Sequence, residues 1–600
     1  MTVDDGVSNP TSSRPFEEIA RARLSRRGII GGGLAAAAAG FIGTGGLSGT
    51  AAAANASAPA VFNDPLVGFD PIPLYGGTGV SISSDYDYSV ILPWGDPVRP
   101  GGPGFSWPPT SAAQENQIGI GHDGMWFFAI NNNHGVLCVN HEFGTNPHVL
   151  GKDFPESLED VRVSQAAHGI GCYEIKRVGD TWVTVNSNKT RRVTANTPVT
   201  FSGPVAGSPL LDTPAGNAAA GTVNNCANGY TPWGTYLTCE ENFNGYFGSS
   251  EGEGFSPSEA QSRYGLSADG FGYGWHVFDP RWDLSNPAYT NESNRFGWIV
   301  EVNPFDGSAV PVKRTALGRF KHEGAAVKVT GNGHVVVYMG DDERFDYVYK
   351  FVSSGPWPEM VANGQSPLDS GTLYCARFNE DGTGDWLPLT LSNPAVAARF
   401  SSMDDVLVHA RLAADAAGAT PMDRPEWGTI GADGCVYMTM TNNSRREVAD
   451  AANPQAPNPD GHIIKWMDAG GGTGTTFLWD IWILASDTHG TDCAFGSPDG
   501  LWADPDGRLI IETDGGQPDD GNNQLLVGNA STGVIKRLLA GPKDCEITGF
   551  AVTPDRRTAF CNVQHPGDGD PATTTWPTGS AVPRDATIVF WRRDGGIIGS

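Results

Sequence analysis

Cationic residues are scarce in this chain of 600 residues: 39 Lys and Arg stand against 67 Asp and Glu, a formal net charge of −28. Nucleic-acid binding needs a cationic footprint, so this balance argues against it. Long apolar runs are also missing, and beyond the N-terminal region no segment is long and apolar enough to span a bilayer. The nine cysteines, at 138, 172, 226, 239, 375, 435, 493, 545 and 561, show no CxxC spacing. A classical zinc site is therefore not expected, and an odd number leaves at least one thiol outside any disulfide framework. Helical stripes of 3.6-residue period are few, "AVAARF" and "MDDVLVHARLAADAAG" being the main ones.

Glycine is abundant, at 79, with 43 Pro, so the backbone turns often, while 39% apolar residues suffice for a large core. Near the N-terminus, "RARLSRRGIIGGGLAAAAAGFIGTGG" joins Arg26 and Arg27 to a mild stretch of small residues, and "AAAANASAPA" offers several A-x-A cleavage sites. This is the pattern of a twin-arginine export signal rather than of a membrane anchor. Residues 1–58 are assigned to it and residues 59–600 to one folded domain. The reading makes the twin-arginine export machinery a partner and places the product in the periplasm, on the cell surface or outside the cell. That route carries folded proteins, so a metal can be loaded before export.

One pattern recurs along the folded part: a turn with Gly, four to eight alternating or apolar residues, then an acid or amide. Copies end at Glu142 ("HDGMWFFAINNNHGVLCVNHE"), Glu241 ("NGYTPWGTYLTCEE"), Asp341 to Glu343 ("GNGHVVVYMGDDE"), Asn442 and Asn443 ("ADGCVYMTMTNN"), Asp514 ("PDGRLIIETDG") and His565 ("PDRRTAFCNVQH"). Six copies spread over the whole chain predict an all-β fold, a six-bladed β-propeller with long inter-blade insertions. "PVAGSPLLDTPAGNAAAG", "FGSSEGEGFSPSEAQSRYG" and "ADAANPQAPNPDG" are the candidate insertions. In a propeller equivalent strand ends share one face, so the acids of the copies are expected to converge.

Converging carboxylates repel one another and raise their own pKa values unless cations join them. Calcium takes oxygen ligands, whereas a thiolate suits a softer or redox-active metal. Cys226, set between Asn224, Asn225, Asn228 and Gly229 in turn-like sequence, therefore hints at two kinds of metal.

Several motifs in fixed order, "GTVNNCANGYTPWGTYLTCEEN", "GRFKHEGA", "GDDERFDYVYKFV", "RPEW", "SPDGL", "IETDGG" and "CEITGFAVTPDRRTAFCNVQHPG", resemble the PhoX-type alkaline phosphatases over nearly the whole mature chain. The resemblance implies a monomeric β-propeller that hydrolyses small-molecule phosphate esters with an iron and calcium cofactor. It implies Cys226 as the iron thiolate, and Glu241, Glu323, Glu426 and Asp514 as carboxylate ligands shared between iron and calcium. It implies Arg424 as the residue reaching the substrate phosphate, and Glu142, Glu240, Asp342 and Asp499 as further calcium ligands or acceptors behind them. Asn228 departs from the family pattern, where glycine is expected. The reaction implied is attack by a metal-held oxygen nucleophile, since no serine motif suggests a covalent phosphoenzyme.

Duller readings compete at several positions. Glu240 and Glu241 alternate along a strand, so only one faces the site, and Glu241 is preferred. Glu323 follows Lys321 and His322 and could sit in a solvated turn; Arg424 could pair with Glu426 or Asp423. Asp499 and Asp504 both fit turns, and for Asp504 the turn reading prevails. A calcium-dependent propeller hydrolase of lactonase type would use similar acids without needing Cys226 or the Arg-Pro-Glu segment. A non-enzymatic propeller fastened by calcium is the other alternative.

Overall fold

The computed structural model describes residues 64–568, 570–579 and 582–600. The export signal assigned to 1–58 lies outside the described residues.

The chain is mainly β. Its strands form sheets of five, six, nine, four and five strands. Six strands occupy the free edges of these sheets: His122–Asn131, Asn225–Tyr230, His322–Val329, Pro425–Ile430, Pro498–Ala503 and Glu546–Val552. They are called the first to sixth inner strands, because each packs on the next and the sixth returns to the first. An exposed edge strand invites aggregation, and this cycle buries all six against one another. The third and fourth inner strands are the two ends of the nine-stranded sheet, which thus curls almost closed.

Each inner strand forms an antiparallel hairpin with the strand after it, and the latter are the recurring segments read from the sequence: His134–His141, Tyr236–Glu240, His334–Asp341, Val436–Met440, Arg508–Thr513 and Thr558–Gln564. Apolar residues alternate or run through them because these strands are covered on both faces by neighbouring sheets. Every inner strand also breaks register near its start, at His122/Met125, Asn225/Asn228, Glu323/Ala326, Pro425/Gly428, Pro498/Leu501 and Thr548/Ala551, and the first breaks it again at Ala129/Asn131. A β-bulge of this kind turns a side chain off the pleat. The close approach needs glycine in places: a Cβ on Gly229 would lie 2.0 Å from Ala325 O, and one on Gly340 2.1 Å from Pro425 O.

The segments expected to be insertions are largely irregular. The 247–265 stretch contains one short α-helix, Glu259–Arg263, and one 3-10 turn, Gly252–Gly254. Just beyond it, Tyr246, Tyr273, Trp275, Trp282 and Phe296 build an aromatic cluster against Val161 and Ala195. The two helical stripes became Pro394–Ala397, Met403–Val408 and Ala410–Ala417. Among the described residues no helix is long and apolar enough to cross a membrane.

The first strands of the chain complete its last sheets. Ser81–Ile82 pairs with Ile535–Ala540, and Tyr86–Ile91 pairs with Ala586–Arg592 over six residue pairs. Further contacts secure this start: Asp64 accepts from Asn529 and Thr532, and Arg537 exchanges hydrogen bonds with Ile72. Removing residues 64–91 would bare the outer edges of two sheets. Such a variant is expected to aggregate in light scattering, whereas one beginning at residue 64 stays dispersed; equal behaviour of the two would contradict the closure described here.

Candidate metal centre

Five inner strands present an acid or thiol at their second residue: Asp123, Cys226, Glu323, Glu426 and Asp499. The sixth presents Glu546 at its first. Two residues ahead of five of these six groups the backbone takes the left-handed conformation, at Gly121 (φ 62°), Asn224 (φ 49°), Arg424 (φ 56°), Ser497 (φ 48°) and Asp544 (φ 55°). For non-glycine residues this costs about 1 kcal/mol or more. Together with the bulge that follows, the turn aims the acid or thiol into the centre instead of along the pleat.

The paired strands deliver the second tier. Glu142, Glu241, Asp342, Asp514 and His565 each follow directly on a strand end, and with Asn442 they line a cavity of about 280 Å³ that also contains Cys226, Glu323, Arg424, Glu426, Asp499 and Glu546. The ends of all six recurring segments thus meet in one place. Ligand atoms of three groups lie within 4.8 Å of one another: Asp123, Glu142 and Cys226; Cys226, Glu241 and Glu323; Asp514, Glu546 and His565. Cys226 belongs to two of them, and its Sγ donates to Glu323 Oε1 at 3.0 Å.

Crowding sets the electrostatics. Burial first, and then the charges of neighbouring acids, raise Glu142, Glu323, Asp499 and Glu546 well above the usual carboxylate range. Burial pushes Asp123 up to about 6 despite hydrogen bonds that oppose the shift, including one from Thr548 Oγ1 at 2.7 Å. The Cys226 thiol is raised well above its ordinary value by burial and by Asp123, Glu142, Glu323 and Glu241. Asp123 Oδ2, Asp342 Oδ1 and Asp499 Oδ1 are shielded from solvent yet accept no protein hydrogen bond. Buried polar atoms are normally partnered, so these oxygens fit a centre that holds cations. Carboxylate, thiolate and imidazole donors side by side suit both hard and softer ions.

Arg424 faces this cluster, and Arg344 lines the same cavity. The Arg424 Nη2 lies 2.8 Å from Asp342 Oδ2 and 2.7 Å from Glu426 Oε1, so the competing reading of a pair with Glu426 is met, with Asp342 added, while Asp423 pairs with Arg446. Both contacts use the same nitrogen. One flank of the cavity is aromatic, with Phe143, Phe271 and Tyr273, and Tyr273 stacks on Tyr246 at 4.4 Å between centroids.

Of the ten residues singled out from the sequence, nine line the cavity: Glu142, Cys226, Glu241, Glu323, Asp342, Arg424, Glu426, Asp499 and Asp514. Glu240 does not. It points the other way along its strand and is buried in an ion pair with Lys313 Nζ at 2.6 Å, accepting also from the Gly297 and Trp298 N–H groups. Asp504 sits at a turn, as read, between Arg508 and Arg556. Asn228 resumes strand pairing opposite Thr238 without a left-handed backbone, so the missing glycine leaves the bulge intact. Asp123, Glu546 and His565 were not singled out as ligands. His565 stood at the end of the sixth copy. Asp123 could have been found from its Asp-Gly pair, since Glu323-Gly324 and Asp499-Gly500 occupy the same place in their strands.

Comparison with known proteins gives a consistent result. The family described as "Alkaline phosphatase PhoX" matches residues 67–567. Among solved structures, Pseudomonas fluorescens PhoX in complex with vanadate, a transition state analogue, is 41% identical, with a TM-score of 0.84 over 89% of this chain and 99% of that one. Others are distant. A protein of unknown function from Dyadobacter fermentans shares 10% identity at TM-score 0.35, covering 79% of this chain and 95% of that one. A gluconolactonase from Xanthomonas campestris shares 8% at TM-score 0.32, covering 79% and 86%. Neither distant likeness carries an argument about this chain. No curated protein matches. Agreement across the body of the chain, in sequence and in fold, makes this protein a member of the alkaline phosphatase PhoX family and a phosphoric ester hydrolase.

Proposed function

We propose that residues 59–600 form one six-bladed β-propeller, exported through the twin-arginine route and monomeric, which hydrolyses phosphate esters at an iron and calcium centre. The cyclic packing of six inner strands supports the blade count. The observation that carries the catalytic reading is the shared position of Cys226, between one group with Asp123 and Glu142 and another with Glu241 and Glu323. A thiolate there would hold iron; the oxygen-rich surroundings, with Glu426, Asp499, Asp514 and Asp342, would hold calcium.

Bound metal would neutralise the phosphoryl oxygens and lower the pKa of a coordinated water. The chain's own residues do the rest. Arg424 binds a phosphoryl oxygen through the edge of its guanidinium left over by Asp342 and Glu426, and its charge survives burial because those two carboxylates hold it. Gln564 Nε2 donates to Glu142 Oε2 at 3.1 Å and Thr548 to Asp123, which fixes each carboxylate so that its other oxygen faces the centre. Phe143, Phe271 and Tyr273 narrow the solvent path on one side.

The deciding experiment is elemental analysis of the purified protein together with p-nitrophenyl phosphate hydrolysis before and after chelation. Iron with calcium, and activity lost on chelation and regained with calcium, is the expected result; calcium alone, or metal without phosphatase activity, would favour the lactonase-type or purely structural alternative. Cys226→Ser is expected to lose iron and activity together, and full retention of both would sink its assignment. Arg424→Lys keeps the charge but not the fork, so kcat/KM should fall by roughly 10- to 100-fold, the value of one charge-assisted hydrogen bond.

Stability should depend on pH in an unusual sense. The buried acids have folded-state pKa values above their unfolded values, so the metal-free folded protein binds more protons than the unfolded chain. Their contribution is least unfavourable below the ordinary carboxylate range, and stability is lost as pH rises from there through the raised values, Asp123 passing at about 6. Thermal melting of chelated protein should therefore be higher at pH 5 than at pH 8, with the difference abolished by metal. A chelated protein more stable at pH 8 would contradict the cluster's electrostatics.

A further inference from the structure

The cavity is sixfold in construction but not in charge. At the first position past the paired strand, five sectors supply Glu142, Glu241, Asp342, Asp514 and His565. The fourth supplies Thr441, a buried residue whose hydroxyl donates to Pro498 O at 2.9 Å, and it is the next residue, Asn442, that lines the cavity. The same sector contributes Arg424, whose charge offsets that of Glu426 two residues on. In the third sector Lys321 stands two residues ahead of Glu323, but it is buried in an ion pair with Glu343 at 3.1 Å, whereas Arg424 lines the cavity, as does Arg344, which is bridged to Asp423 next to Arg424. A dianionic phosphate is repelled wherever carboxylates are not covered by cations, so the chain's own charges favour the side of the cavity at Arg424.

Asn442 is suited to act there. Its Nδ2 has one protein contact, a long 3.4 Å approach to Ser497 Oγ, and the residue is only half-buried at the cavity wall. An amide donates two N–H bonds without charge. Ser497 is in turn packed against Gly515, where a Cβ would meet Ser497 Oγ at 2.9 Å, so glycine there leaves Ser497 in its place beside the amide.

We propose that Asn442 and Arg424 form the anion seat for the phosphoryl group of a phosphate ester, with Asn442 donating to a nonbridging oxygen, and that an asparagine rather than an acid stands there because a carboxylate would repel the substrate. This rests on the phosphatase reading. It also agrees with the fourth sector placing the uncharged Thr441 where its companions place an acid or histidine.

The test compares Asn442→Ala and Asn442→Asp in metal-loaded protein, by calorimetric binding of inorganic phosphate, kinetics with p-nitrophenyl phosphate and elemental analysis. Loss of one hydrogen bond to a charged oxygen should weaken phosphate binding and raise KM by about tenfold in Asn442→Ala. Asn442→Asp adds repulsion and should weaken both by roughly 100-fold, with metal content and melting temperature unchanged in the two variants. A merely structural asparagine would give the reverse order, the near-isosteric Asp being the milder change. Variants that bind phosphate like the wild type, or an Asp variant that gains a metal ion and keeps activity, would overturn the inference while leaving the phosphatase reading in place. A metal-loaded wild-type protein with no phosphatase activity would overturn that reading, and this inference with it.

Discussion

Repulsion among buried carboxylates is the constraint on which this architecture turns. Glu142, Glu323, Glu426, Asp499 and Glu546 are nearly inaccessible to solvent and converge on one cavity, with the equally buried Asp123 grouped with Glu142 and Cys226. Nothing in a hydrophobic protein interior rewards such an arrangement, and Arg424, which pairs with Asp342 and Glu426, is outnumbered there by acids. Cations from outside the chain complete the balance. The centre is thus both the destination of the fold's regularity and its least stable part when bare.

Much of the surrounding structure can be understood as holding the acids where they would not otherwise go. The bulges redirect one side chain per inner strand, and the left-handed residues Asn224, Arg424 and Ser497 accept backbone strain just ahead of them. Asn224 also receives the Glu241 N–H at its carbonyl, at 2.9 Å, so a strained residue just ahead of the second inner strand fixes the second tier too. Asn140 Nδ2 donates to Ala227 O at 2.9 Å and holds the bulge beside Cys226. Glu240 shows the contrast. One residue from Glu241, it was given Lys313 and two backbone donors, the provisions of a permanent internal ion pair.

The paired strands were legible because a doubly covered strand bounded by Gly turns carries its own signature, from "HVVVYMGDD" to "RLIIETDG". Their ends converged because equivalent strands in repeated units end on one face. The inner strands were harder to read: a bulge breaks the period of two, and an acid beside glycine, as in Asp123-Gly124, looks like a turn. Glu546 was hidden for a related reason, being the first residue of its strand where its counterparts are the second. Asp342 as a partner of Arg424 lay beyond reach, since it joins residues from neighbouring hairpins whose packing no local pattern encodes.

The joining of the first strands to the last sheets bears on how the chain acquires its structure. Ser81 pairs with Ala540 and Tyr86 with Arg592, so the earliest strands to leave the ribosome wait for almost the entire chain before they find their partners. Contacts so distant in sequence come at a high loop-closure cost and make for slow folding. The final step is a latch rather than a nucleus, and until it engages two sheet edges stay open to neighbouring chains. A polypeptide built this way gains from a sheltered interval between the end of its synthesis and its release to its place of work.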